Sequence, residues 1–236
     1  LKDSDAVVGV DYFGHPPGEG FRALKAAHPR PLWIEDRAQA LDAGPAWGDA
    51  VIWSARKLVG VGDGGVMVSQ GPLPEPDLPA LDLWAAEDAR AGDPEGRAPE
   101  TWRPLFQARE AAMPLAPHAM NERTQAALKT VDAAAIAGAR RTNWRRLAAA
   151  LADMALWPIA EPDFVPLAFP IRVPDAAAAV QALAAHRIWA PRHWPELPSG
   201  AGEDALALSR RLVSLPLDQR YGEADMDRVI AAVRTI

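Results

Sequence analysis

The sequence predicts an α/β fold, a mostly parallel sheet followed by a smaller α+β portion. Three observations carry this. Apolar runs of strand length begin at Ala6, Leu32 and Asp49 and alternate with short helical or turn segments, the pattern of parallel strands joined by crossovers. The link from Ser54 to Gly65 is too short for a crossover helix, so the next run, GVMVS, is expected to be antiparallel to its predecessor. From Val165 onward, strand and helix patterns mix without the regular alternation of the first part.

Taken in order, AVVGVDYFG (Ala6 to Gly14) reads as a strand closed by Gly14-His15-Pro16-Pro17. Residues 18–28 read as a short helix with Phe21, Leu24 and Ala27 on one face, stopped by Pro29 and Pro31. LWIED is the next strand, followed by a helical turn from Ala38 to Leu41 and a loop with Gly44-Pro45. DAVIWSA and GVMVS are strands. The segment 70–104 is rich in Pro, Asp, Glu and Gly and reads as a surface excursion with one helical patch at 81–90. Residues 121–152 form the longest helical pattern, with Leu128, Val131, Ile136, Trp144 and Leu147 as apolar marks and Gly138 as a break point. It would suit a helix joining two lobes, which puts a first domain at 1–115 and a second at 125–236. In the second, VPLAFPIRV, RIWAPRHW and RRLVSLPLD read as strands. Residues 175–186 read as a helix N-capped by Asp175, and 223–236 as a closing helix with Met226, Val229, Ile230 and Val233 inward.

The chain has 236 residues, 49% of them hydrophobic, with a net charge of −6. With no long basic run, nucleic acid is not an expected partner. No apolar stretch of membrane length and no signal-peptide pattern occur, so a soluble, cytoplasmic protein is expected. The absence of cysteine excludes disulfides and thiolate chemistry. The five histidines are scattered, no pair having the spacing of a helical metal site, and no metal is expected. The chain opens LKDSDAVVGV and runs at once into a strand, so the N-terminal part of a larger domain is expected to be missing.

Chemistry gathers between Leu32 and Ser69. LWIED ends on Glu35-Asp36, DAVIWSA carries Ser54 near its end, and Lys57 follows three residues after that serine. Open α/β sheets bind ligands at the carboxyl ends of their strands, and here that edge receives a carboxylate, a hydroxyl and an amine. A lysine after a strand is by itself an ordinary solvated side chain, and Asp36 could equally cap the turn that follows it. Together they fit a pyridoxal phosphate (PLP) site. There an amine in apolar company serves as nucleophile, and a carboxylate keeps the pyridine nitrogen protonated.

EDRAQA, DAVIWSARK and DGGVMVS, in that order, resemble the DegT/DnrJ/EryC1/StrS family of PLP-dependent sugar aminotransferases. The upstream VDYFG resembles the family's Val-His-x-x-Gly strand end, with Asp11 in place of its histidine. GARRTNWRRL and the C-terminal segments extend the likeness more thinly. The resemblance implies a PLP-dependent transferase of aspartate-aminotransferase-like fold (fold type I), with a partial large domain and an α+β small domain. It implies that Lys57 binds PLP covalently and that Asp36 pairs with the pyridinium nitrogen. Gln39 would reach the phenolic oxygen, and Ser54 the phosphate. Arg192 and His193 would approach the substrate. The implied reaction moves an amino group from glutamate or glutamine to a nucleotide-linked keto sugar, in polysaccharide or secondary-metabolite biosynthesis, within a homodimer.

Two other motifs offer competing readings. Ser54-x-x-Lys57 also matches the serine acyl-enzyme pattern, but the accompanying S-D-N and K-T-G tripeptides do not occur. Residues 60–65 match G-x-G-x-x-G, yet a strand follows where a dinucleotide site needs a helix. A further alternative is a degenerate, non-catalytic module of the same fold acting in oligomerisation or regulation.

Overall fold

The computed structural model describes residues 1–42 and 44–236. The chain divides into two compact units. The first comprises Leu1–Asp11, Pro16–Gln39 and Pro45–Asp132, and the second Tyr12–His15, Ala40–Gly44 and Ala133–Ile236.

The first unit is built on a four-stranded sheet in the order β1 (Ala6–Val10), β2 (Leu32–Arg37), β3 (Ala50–Ser54), β4 (Gly65–Ser69). β1, β2 and β3 are parallel, and β4 is antiparallel to β3, as the short link required. Register fixes the two faces, because paired residues on neighbouring strands point the same way. Gly9, Glu35 and Val51 stand in one row on one face. Val10, Asp36, Ile52 and Met67 stand in the adjacent row on the other.

The first face is covered. Helix α1 (Glu19–Ala27) sets Phe21 edge-on to Trp33 and Trp47, with ring centroids 5.5 and 5.1 Å apart. Gly9 lies beneath these rings, and a Cβ there would stand 2.6 Å from Phe21 and Trp47 atoms, so the aromatic lid requires glycine at this point. Leu24, expected on the inward face, is exposed, and Lys25 instead reaches the Trp47 carbonyl and Asp49. The second face is largely bare: Val8, Leu32 and Met67 are 54%, 49% and 46% exposed.

Several expectations are corrected. The first strand stops at Val10, because Tyr12–Gly14 forms a tight 3-10 turn in which Phe13 takes a left-handed φ of 58°. No helical turn follows β2. The strand runs on through Arg37, and the Asp36 carboxylate accepts from Ala38 N at 2.8 Å, a local bond that favours a turn over a helix. The acidic, proline-rich excursion contains more helix than expected: α2 (Ala85–Ala91) and α3 (Pro99–Ala112). Pro99 suits the first turn, where its missing N–H costs nothing, and Pro104 lies inside. The long helix is two. Asn121 caps α4 (Glu122–Leu128), and α5 (Ala133–Leu151) begins after a break at 129–132, not at Gly138.

The second unit packs α5, α6 (Ala176–Ala185) and α8 (Glu223–Val233) around the antiparallel pair β5 (Phe169–Arg172) and β6 (Leu212–Leu215). Trp144, Leu147 and Leu151 of α5 are buried with Phe169, Ile171, Val213 and Leu215. Asp175 caps α6, accepting from Ala177 N and Ala178 N. Met226, Val229 and Val233 of α8 are buried as expected, with Ile230 partly so. RIWAPRHW is not a strand. Arg187 and Trp194 have positive φ, Pro191 lacks a donor, and only Arg192 bridges to Val213. A short helix, α7 (Glu203–Ser209), went unforeseen. Among the described residues no helix is long and apolar enough to cross a membrane.

Candidate functional site

The carboxyl edge of β2 and β3 presents the first four candidates within one unit. Asp36 is half-buried in the row formed by Val10, Ile52 and Met67, a carboxylate set among apolar neighbours on the bare face. Among the described residues its carboxylate accepts one hydrogen bond, from Ala38 N. Ser54, two residues beyond Ile52, points to the same face, pairs through its backbone with Gly65, and has an unengaged hydroxyl. Its backbone is extended, so it ends a strand and does not open a helix as an acyl-enzyme serine would. Lys57 closes the 3-10 turn Ala55–Lys57 that directly follows; it is exposed, and no carboxylate of the described residues pairs with it. Gln39 lies in the turn after β2 and is half-buried.

Beside Ser54 opens a cavity of about 510 Å³, whose lining includes Asp63, Gly64, Gly65, His118 and Gln125. Gly64 turns the chain with a φ of +98°, and the strand β4 follows directly where a dinucleotide loop would lead into a helix. Asp63 fixes the cavity wall by accepting from Asn121 N at 2.8 Å and from the Thr124 hydroxyl. Asp63, His118 and Gln125 were not anticipated. The DG turn was visible in the sequence, but nothing there linked it to residues so far along the chain.

Arg192 and His193 belong to the second unit. Arg192 is half-buried, its Nε without a hydrogen-bond partner. His193 stands edge-on to Phe13, 5.0 Å between centroids, and against Trp194 at 5.2 Å. Arg220 and Tyr221 act structurally: Arg220 binds Asp218, and Tyr221 packs against the core while its carbonyl accepts from Asn143. Among the described residues no group of acidic or histidine side chains could hold a metal ion.

No family model matches the chain, and no curated protein matches it in sequence. Solved structures do match. A DegT DnrJ EryC1 StrS aminotransferase from Brucella abortus is 21% identical with a TM-score of 0.66, over 98% of this chain and 64% of its own. The aminotransferase TlmJ from Streptoalloteichus hindustanus is 20% identical with a TM-score of 0.66, over 98% and 65%. DesV from S. venezuelae, solved in complex with a ketimine intermediate, is 21% identical with a TM-score of 0.66, over 98% and 64%. The chain therefore has the aspartate-aminotransferase-like α/β fold expected of it, in part: it spans about two thirds of the length of these neighbours.

Proposed function

We propose that this chain forms the lysine-bearing part of a PLP-dependent sugar aminotransferase. The reading rests on one observation: Asp36 and Ser54 share a face at the carboxyl edge of two neighbouring strands, and Lys57 lies in the turn that follows. A carboxylate, a hydroxyl, a primary amine and a bare apolar surface are the set a flat heteroaromatic aldehyde with a phosphate tail requires, so the residues present fit the cofactor. Asp36 would hold the ring nitrogen, Ser54 the phosphate, Lys57 the aldehyde carbon and Gln39 the ring oxygen. When bound, PLP supplies an electron sink for the carbanion formed at the substrate Cα.

Asp36 would accept a hydrogen bond from the ring nitrogen. Val10, Ile52 and Met67 beside it would offer the flat ring an apolar surface. Lys57 would move a proton at the substrate Cα, as general base and then acid. Arg192 and His193 would orient the substrate. Glutamate or glutamine as donor, a nucleotide-linked keto sugar as acceptor and a homodimer complete the reading. In domain terms, 1–115 is the cofactor-binding part and 125–236 the interdomain helix and small domain.

The test is titration of PLP into the native chain and into Lys57→Ala, following visible absorbance. A band in the native chain that is absent from the variant is expected. Borohydride treatment should then fix the cofactor to the peptide containing Lys57. Asp36→Asn should keep the covalent link and bind at least tenfold more weakly, as expected for loss of a charge-assisted hydrogen bond worth about 1.5–3 kcal/mol. No band dependent on Lys57 would favour the non-catalytic module.

A further inference from the structure

On the covered face of the sheet lies a charge cluster that the proposed reaction does not use. Asp11, at the end of β1, is wholly buried, and among the described residues neither of its carboxylate oxygens has a hydrogen-bond partner. Glu35, also wholly buried, has three donors: Arg37 Nε at 2.6 Å, Trp47 N at 2.7 Å and Gly48 N at 3.0 Å. Arg37 Nε stands 3.7 Å from Asp11 Oδ2, so one guanidinium faces two acids. The indole Nε1 of Trp47 is likewise buried without a partner and approaches Asp11 outside hydrogen-bonding geometry. Among the described residues, Asp36 adds a further charge from the opposite face of β2, and the Lys25–Asp49 pair ties α1 to the loop carrying Trp47. Asp11 N donates to the Asp36 carbonyl at 3.0 Å, which links the cluster to the strand end that carries the candidate site.

We propose that Asp11 drives a pH-sensitive exchange of partners at this strand end. Bearing a proton, it sits unbonded while Arg37 serves Glu35. Without the proton, it draws the Arg37 Nε and the Trp47 indole N–H towards itself. Two buried carboxylates cannot both be compensated by one guanidinium, and the acid with no donors is the one that keeps the proton. Burial, and then the charge of Glu35, push the Asp11 carboxyl up to about 7, which puts the exchange in the neutral range. The folded state thus holds a proton that the unfolded chain has already lost. This contribution to stability is complete below the ordinary carboxylate range and disappears as pH rises to about 7. The exchange would shift the loop entering β3, the strand that delivers Ser54.

Indole NMR on the full chain labelled with ¹⁵N tests this, with the Trp47 signal assigned as the one missing from Trp47→Phe. It should move with a midpoint near 7 in the native protein and stay fixed in Asp11→Asn. The melting temperature of the native protein should fall between the ordinary carboxylate range and neutrality, and that part of the fall should vanish in Asp11→Asn. A Trp47 signal that does not titrate near neutrality in the native protein would overturn the proposal even if the variant failed to fold. The same midpoint in Asp11→Asn would overturn it as well.

Discussion

Two aspartates of the first unit show how local partners set the sign of a titration. Asp11 has burial and no donors, and its carboxyl moves up. Asp49 also meets a burial penalty, but Lys25 at 2.9 Å and Trp33 N at 2.9 Å outweigh it and hold the carboxyl below its ordinary value. A depressed carboxylate stabilises the fold above its ordinary range, and this stability is lost as pH falls through the folded value. Asp49→Asn should therefore melt lower than the native protein at neutral pH and lose less on acidification, as read from melting temperatures down the acid limb. The effect should be small, since the pair is partly open to water. The sequence made the placement of Asp36, Ser54 and Lys57 at strand ends legible, because strand periodicity and a short turn fix it. It did not reveal Asp11 as a buried orphan. That depends on which face a strand covers, and the lid comes from α1 and a distant loop.

Elements were legible where period and punctuation agreed. Residues 19–27 sit between Gly18 and the prolines, and α6 follows a capping aspartate, so both are helices as expected. They were misread where one signal masked another. Charge and proline hid α3, though proline at a first helical turn is harmless. Apolar residues in RIWAPRHW resemble a strand, but two positive-φ residues and a proline withhold it from the sheet. The junction of β1 with α1 and the loop is closely packed. Gly9→Ala would push a methyl into ring atoms of Phe21 and Trp47. It should destabilise the first unit by about 1–3 kcal/mol, the usual cost of overpacking, measured by urea denaturation.

At the scale of the whole molecule, the units are stabilised differently. The second has a continuous apolar core around Trp144, Leu147, Phe169 and Leu215, tied by the Trp144 indole bond to the Ile159 carbonyl at 2.8 Å. Leu147→Ala should cost it about 2–5 kcal/mol, read as an earlier urea transition. The first unit leaves Val8, Leu32 and Met67 open on one side of its sheet, which the sequence could not announce, since apolar strands read alike whether covered or bare. Exposed apolar surface of this kind promotes association. Val8→Lys with Met67→Lys should reduce both the binding of a hydrophobic dye and the apparent mass by light scattering.

The outer margins of β1 and β4 complete no ladder with any other described strand. Each flank presents main-chain donors and acceptors to which a further strand could pair, away from the carboxyl ends of the two central strands, where Asp36 and Ser54 stand.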